Sequence, residues 1–141
     1  MRPWGVELGI VSEAKKAAGK GKAAVIMDLA KNRPEAITKE IILDAAKKGD
    51  EMALGLLEKA GKDLGVRIAY MIDLLNPSMV IIGGGMEAAG DLLFEPIKSS
   101  IKKFAFEEPA SIVKVVPSFL GENAIVMGAA ALSAREVFIQ A

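Results

Sequence analysis

The stretch of this sequence best suited to chemistry ends in three consecutive glycines. Asn76-Pro-Ser-Met-Val-Ile-Ile-Gly-Gly-Gly85 runs from a helix stop through a wholly apolar segment, Met79–Ile82, to Gly83, Gly84 and Gly85. A polar-capped helical pattern follows within a few residues, so the order reads strand, tight turn, helix. In an α/β sheet, ligands bind in the crevice at the carboxyl end of a strand. Without Cβ atoms the three glycines let the backbone take positive φ and let a ligand approach the main chain, with the N–H groups of the next turn free to face an anion. A nucleotide is the natural candidate; a purely structural turn after a buried strand is the alternative reading.

Other chemistry is narrowed by what the chain lacks. There is no cysteine and no histidine, which excludes disulfides and cysteine-based zinc and removes the commonest metal ligand and general base. Carboxylates, lysines and backbone amides remain. Asp28, Asp44, Asp63 and Asp73 fall on helical patterns beside lysines or apolar faces, where such groups are solvated or pair at helical spacing. Glu122 and Asn123 stand where they can satisfy the open N–H groups of the last helix. Lys15–Lys22 reads as a solvated turn, and the seven methionines as core filler.

The elements that must position the glycines follow from caps and periodicity. Residues 1–11 lack a clear period and read as a loop containing the only tryptophan, Trp4. Ser12 is a candidate N-cap for a helix over Glu13–Ala18, and a second helix spans Lys22–Lys31, ending before Asn32-Arg-Pro34. Thr38 caps a third, with Ile41, Ile42, Ala45 and Ala46 on one face. Asp50 caps the longest, Glu51–Leu75, in which Met52, Leu56, Ala60, Leu64, Ile68 and Ile72 form a core-facing stripe widened by Leu57, Met71 and Leu75. Gly61 and Gly65 interrupt it at about 1 kcal/mol each relative to alanine, which suggests close approach of another element, with simple tolerance of the two glycines as the alternative. After the glycines, Pro96 is placed near N1 of a helix over Pro96–Phe104. Glu107-Glu-Pro109 reads as a surface loop, Ile112–Val116 as a second buried strand, and Ala124–Ile139 as a final helix, buried in its first half, with Gly128 marking tight packing.

The fold class is therefore α/β: helices followed by a parallel β-α-β-α unit. At 141 residues, 52% apolar and 26% charged, the chain suits a globular core that excludes roughly two thirds of the unfolded surface from water. Eighteen basic and eighteen acidic side chains cancel, so no global field draws it to nucleic acid or an acidic membrane, and no direct nucleic acid contact is expected. No apolar run approaches the roughly 20 residues of a membrane helix, no signal peptide is evident, and a cytoplasmic protein is expected. Two strands that are apolar on both faces cannot make a doubly covered parallel sheet. Further strands are expected from a partner chain or from a longer protein.

With these residues assembled, the chain resembles the C-terminal part of the ROK family, whose name joins repressors, open reading frames and sugar kinases. The resemblance rests on Ala45-Ala-Lys-Lys-Gly-Asp50, on Leu74-Leu-Asn-Pro-Ser-Met-Val-Ile-Ile-Gly-Gly-Gly85 followed by Gly90-Asp91-Leu-Leu and Pro96-Ile97, and on Val116-Pro-Ser-Phe-Leu-Gly121 leading to Met127-Gly-Ala-Ala130. It covers residues 38–138. It implies an incomplete ribonuclease-H-like (actin-like ATPase) domain, with 1–37 as an N-terminal loop and short helices and 38–141 as the nucleotide-side subdomain of a larger two-domain fold. It further implies that Gly83, Gly84 and Gly85 contact the adenosine side of Mg-bound ATP, that Met86 borders the adenine, and that Glu7 corresponds to a glutamate binding sugar hydroxyls. The sequence departs from the family in lacking the Cys-x-Cys-Gly-x-x-Gly-Cys zinc cluster, the Asp-x-Gly-x-Thr phosphate loop and the catalytic aspartate.

The resemblance implies the nucleotide-side portion of an ATP-dependent sugar kinase, with adenine nucleotide bound here and sugar bound by the parent protein. Without the phosphate loop and aspartate, the chain alone is expected not to catalyse, and no residue in it is assigned a catalytic role. The effector-sensing portion of a ROK transcriptional regulator is the alternative, and an interaction scaffold that kept the fold and lost the ligand is a third. A homo-oligomer or a missing N-terminal domain is expected to complete the sheet, with residues 1–11 and Trp4 folding back over its edge as another possibility.

Overall fold

The structure is a computed structural model that describes residues 6–139. Its packing is organised by α4 (Glu51–Leu75), whose bounds match those read from the sequence. The Asp50 carboxylate accepts the Ala53 N–H at 2.9 Å and so satisfies one of the helix's open donors. At the other end Asn76 turns left-handed, with φ 44°, and its N–H donates to Ile72 O at 2.8 Å. Leu56, Leu57, Ile68 and Ile72 are buried as expected. Met71 and Leu75 are not: both are exposed, because they lie beyond the face that α5 (Asp91–Phe104) covers.

Gly61 and Gly65 are where α5 comes closest. A Cβ on Gly61 would lie 2.8 Å from both Leu93 O and Pro96 Cβ; one on Gly65 would lie 2.6 Å from Ile97 O and 2.7 Å from Ser100 Cβ. Real side chains essentially never approach so near, so the two glycines permit this helix crossing. Helix α5 begins at Asp91, and Pro96 is inside it rather than at its first position. Two circumstances accommodate the proline. Its missing N–H leaves the carbonyl of Leu92, a residue on the exposed side, without a helical partner, and its ring fits the space that Gly61 leaves empty.

The N-terminal helices also differ from the sequence reading. Helix α1 (Val6–Ala18) runs through Ser12, so 6–11 is helical and Ser12 is no cap. Buried Ile10, Ala14 and Ala17 continue one stripe across it. Trp4 lies outside the described residues. Helix α2 (Ala24–Leu29) is shorter than expected because Lys31 and Asn32 both take positive φ ahead of Pro34. A 3-10 turn, Pro34–Ala36, then leads to α3 (Lys39–Lys47). Thr38 occupies the N-cap position, but its side chain makes no capping hydrogen bond. Buried Ile10, Ile26 and Ile42 share one core with Leu57, Leu93 and Ile97.

Strand β1 (Met79–Ile82) stands as read, and β2 (Lys114–Pro117) pairs with it in parallel, with Val80 opposite Val115 and Ile82 opposite Pro117. The expected loop at Glu107-Glu-Pro109 is instead the start of α6 (Glu107–Ile112), which also takes the first residue of the expected second strand. Two glutamates in the first turn complement the helix dipole, and Pro109 sits where no helical N–H is needed. Val80, Ile82 and Val115 turn toward the helices, while Met79 and Ile81 on the other face are 48% and 62% exposed.

Helix α7 (Ala124–Ile139) has the expected bounds and the wrong environment. Ile125, Val126, Met127 and Leu132 are exposed, and a Cβ on Gly128 would meet nothing within 4 Å. The expected burial and tight packing are absent because nothing among the described residues covers that helix. The molecule is thus α/β and mostly helical, with a small parallel sheet. Among the described residues no helix is long and apolar enough to cross a membrane.

Candidate functional site

Strand β1 delivers the chain to the three glycines at the sheet's carboxyl end. A Cβ on Gly83 would stand 3.1 Å from Ser118 Cβ, a tight contact with the residue that follows β2. Ser118 N–H donates to Ile82 O at 2.7 Å, and Ser118 Oγ accepts the Leu120 N–H at 3.2 Å, which ties the two strand ends together. Gly84 and Gly85 have φ of 83° and 84°, the left-handed region that side chains rarely adopt. Gly83 and Gly84 are exposed, and nothing lies within 4 Å of a Cβ on Gly84. There a ligand could lie directly on the main chain.

After Gly85 comes a 3-10 turn, Met86–Ala89, rather than the helix itself. Met86 is only 4% exposed; with Ala89 it anchors the loop in the core from beneath. Helix α5 opens after Gly90, with no side-chain cap and with Asp91 in its first turn. The carboxylate offsets the positive end of the helix dipole and disfavours a phosphate there.

Glu87 was not singled out by the sequence reading. Its Oε1 points toward Gly121, 3.7 Å from where a Cβ would be, and its Oε2 is buried without a hydrogen-bond partner. Helical periodicity could not reveal this, because the contact joins a 3-10 turn to the distant turn before α7. Between Glu87 and Asp91 the loop is rich in acceptors. Free main chain beside acceptors suits the sugar and base of a nucleoside better than its phosphates.

The remaining candidates do not converge on this loop. Glu7 falls in the first turn of α1, not in a loop, and its side chain lies outside the described residues. Asp73 makes a tertiary contact that helical spacing did not suggest: Oδ1 accepts the Phe106 N–H at 2.8 Å, fastening the start of α6 to α4. Asn123 belongs to the 3-10 turn Gly121–Asn123 leading into α7. A cleft of about 530 Å³ between α1 and α4 is rimmed by Lys16, Lys59 and Arg67, and one of about 630 Å³ lies among α5, α6 and β2. In the first, Lys16 pairs with Glu13 at 2.7 Å. That hydrogen bond, with the Lys16 charge and more weakly Lys59 and Lys20, holds the Glu13 carboxyl below its ordinary range. Gly83, Gly84 and Gly85 line neither cleft, so the candidate site rests on backbone geometry rather than on cavity size. Among the described residues no group of three Asp or Glu is placed to hold a metal ion.

A β-strand ending in a left-handed glycine turn, joined by a parallel crossover to a second strand, defines an α/β protein with an exposed glycine turn at the strand ends. The ROK family pattern matches residues 15–136, and the chain belongs to the ROK family. It is 34% identical over 99 residues to a glucokinase of Thermotoga maritima, covering 70% of this chain and 31% of that one. To the DNA-binding transcriptional dual regulator NagC of Escherichia coli it is 36% identical over 98 residues, 70% of this chain and 24% of the regulator. Among solved structures it is similar to a ROK family glucokinase from Streptomyces griseus in complex with glucose and AMPPNP. There the TM-score is 0.76 and the identity 30%, over 87% of this chain and 40% of that one. The chain therefore spans about a quarter to a third of the length of the curated relatives it matches.

Proposed function

We propose that these residues form the nucleotide-side portion of an ATP-dependent ROK sugar kinase, and that the loop at Gly83, Gly84 and Gly85 receives the adenosine part of the nucleotide. The open left-handed turn at Gly84 carries this reading: a ligand can reach the main chain where no side chain intervenes. Met86 and Ala89 hold the loop against the core, so the glycine turn is anchored from beneath. Bound ATP, carried with magnesium, supplies the transferable phosphoryl group. The groups that would stabilise its transfer, the phosphate loop and catalytic aspartate, are missing from the sequence. Binding by the isolated chain is accordingly weak, adenosine-centred and without phosphoryl transfer. Glu7, at the start of α1, would contact sugar hydroxyls only in a complete two-domain protein.

The NagC relationship supports a second reading, in which the same segment belongs to the effector-sensing part of a regulator. The intact glycine turn favours the kinase. Calorimetric titration with AMPPNP, on the native chain and on Gly84→Val, tests the site. Weak binding by the native chain and none by the folded variant is expected; equal binding by both overturns the assignment. A coupled hexokinase-type assay is expected to show no turnover.

A further inference from the structure

Glu87 carries a carboxylate that the fold leaves without a donor. It lies in the 3-10 turn three residues beyond Gly84 and is half-buried, and among the described residues neither of its oxygens takes a hydrogen bond. Oε2 is sealed from water, while Oε1 stands 3.7 Å from a Cβ built on Gly121. The side chain therefore reaches from the loop that leaves β1 to the loop that leaves β2. A sealed carboxylate oxygen with no donor bears an uncompensated desolvation cost. These two loops supply no cation to offset it: residues 83–94 and 115–134 contain no lysine, arginine or histidine. Asp91, four residues on, is a further acceptor. The donor has to come from outside the loops, at the carboxyl end of the sheet and beside the exposed main chain of Gly83 and Gly84.

We propose that Glu87 binds the ribose of the nucleotide, its carboxylate accepting hydrogen bonds from the vicinal hydroxyls between the two strand-end loops. The inference rests on the nucleotide reading of Gly83, Gly84 and Gly85 and adds to it the side chain that fixes the sugar. An ionised carboxylate is acceptor-only, so it selects donors. Phosphates offer none and share its charge. Of the donors adenosine carries, the exocyclic amino group is flanked by two ring-nitrogen acceptors that repel a carboxylate placed on it. The 2′- and 3′-hydroxyls stand side by side with no such neighbours and give charge-assisted bonds. The terminal torsion of a glutamate is broad and two-fold, so either oxygen can turn to the ligand. Met86, buried next to it, keeps the turn in place.

The test is a thermodynamic cycle between the side chain and the hydroxyls, read as dissociation constants from NMR titrations of the 141-residue chain with ATP, 2′-deoxy-ATP and 3′-deoxy-ATP. In the native chain each deoxynucleotide should bind about tenfold more weakly than ATP, the lower end of what a hydrogen bond to a charged group is worth. Glu87→Ala should weaken ATP binding and make all three nucleotides bind alike. A merely structural loss would instead lower all three together and keep their ratios. Glu87→Gln, which keeps the shape and one acceptor, should discriminate less than the native chain, and it carries the test if Glu87→Ala loses the native amide spectrum. ATP binding without discrimination, or discrimination that survives both substitutions, overturns the ribose role and leaves the glycine turn standing. Weaker binding of ITP, whose base has a carbonyl in place of the amino group, that is erased by Glu87→Ala would move Glu87 to the base and overturn the ribose role as well. No binding of any nucleotide by the native chain overturns the nucleotide reading, and this inference with it.

Discussion

Helices α4 and α7 are both apolar and both contain glycine, yet α4 buries Leu57 and Ile72 completely while α7 leaves Ile125 at 83% and Leu132 at 62% exposure. Their glycines differ in the same way. Gly65 lies against the backbone of α5, whereas Gly128 faces open space. Apolar periodicity records what a helix is built to pack against; whether it is buried depends on whether that surface is present. Beside α4 that surface is present in α5, and around α7 it is absent among the described residues.

The contrast can be broken most directly by truncating one buried and one exposed side chain. Ile72→Ala should cost about 3 kcal/mol in urea unfolding through lost burial and an unfilled cavity. Leu132→Ala should stay within about 0.5 kcal/mol. Equal costs would mean that α7 is packed in solution. The glycines sharpen the comparison through opposite signs. Gly65→Ala forces α4 and α5 apart and should destabilise by about 2 kcal/mol, whereas Gly128→Ala should stabilise by about 1 kcal/mol through helix propensity alone. Thermal unfolding of the two variants decides it.

The smallest effect lies in the packed half. The Glu40 carboxyl is held below its ordinary value of 4.5 by the Thr38 hydroxyl first, then by its own backbone amide. A carboxyl whose folded pKa is depressed contributes stability that is fully present above its unfolded pKa and is lost as pH falls through the folded value. Solvent screens this exposed group, so the contribution is small. Thr38→Val should therefore narrow the stability difference between pH 7 and pH 3 slightly, and an unchanged difference would remove Thr38 from that role.

Local signals were legible wherever the structure answers them locally. Asp50, the stripe from Leu56 to Ile72 and the stop at Asn76-Pro77 delimit α4 without tertiary information, and β1 with its glycines follows from composition. The close crossing at Gly61 and Gly65 was readable because a helix tolerates such residues poorly unless something packs there. What escaped depends on distant partners. Pro96 is tolerated inside α5 by its position against Gly61, α1 runs through Ser12 because its apolar face continues, and Phe106 is held by Asp73 across 33 residues. The expected burial of α7 presupposed a surface that these residues do not supply. At the candidate site the glycines were legible and Glu87 was not, since its Oε1 comes near Gly121 only once that distant turn is folded beside it.

The division of the molecule into a packed helical layer and an uncovered sheet side is tested most directly by amide hydrogen exchange on the dilute native chain. Buried amides along α4, around Leu57 and Ile72, should exchange near the rate of global unfolding, and those of α7 from Ile125 to Leu132 at least about 100-fold faster, through local opening of a helix with nothing packed on it. Protection of α7 equal to that of α4 in a sample that sediments as a monomer would contradict the account, because the apolar helix would then be covered from within the chain itself.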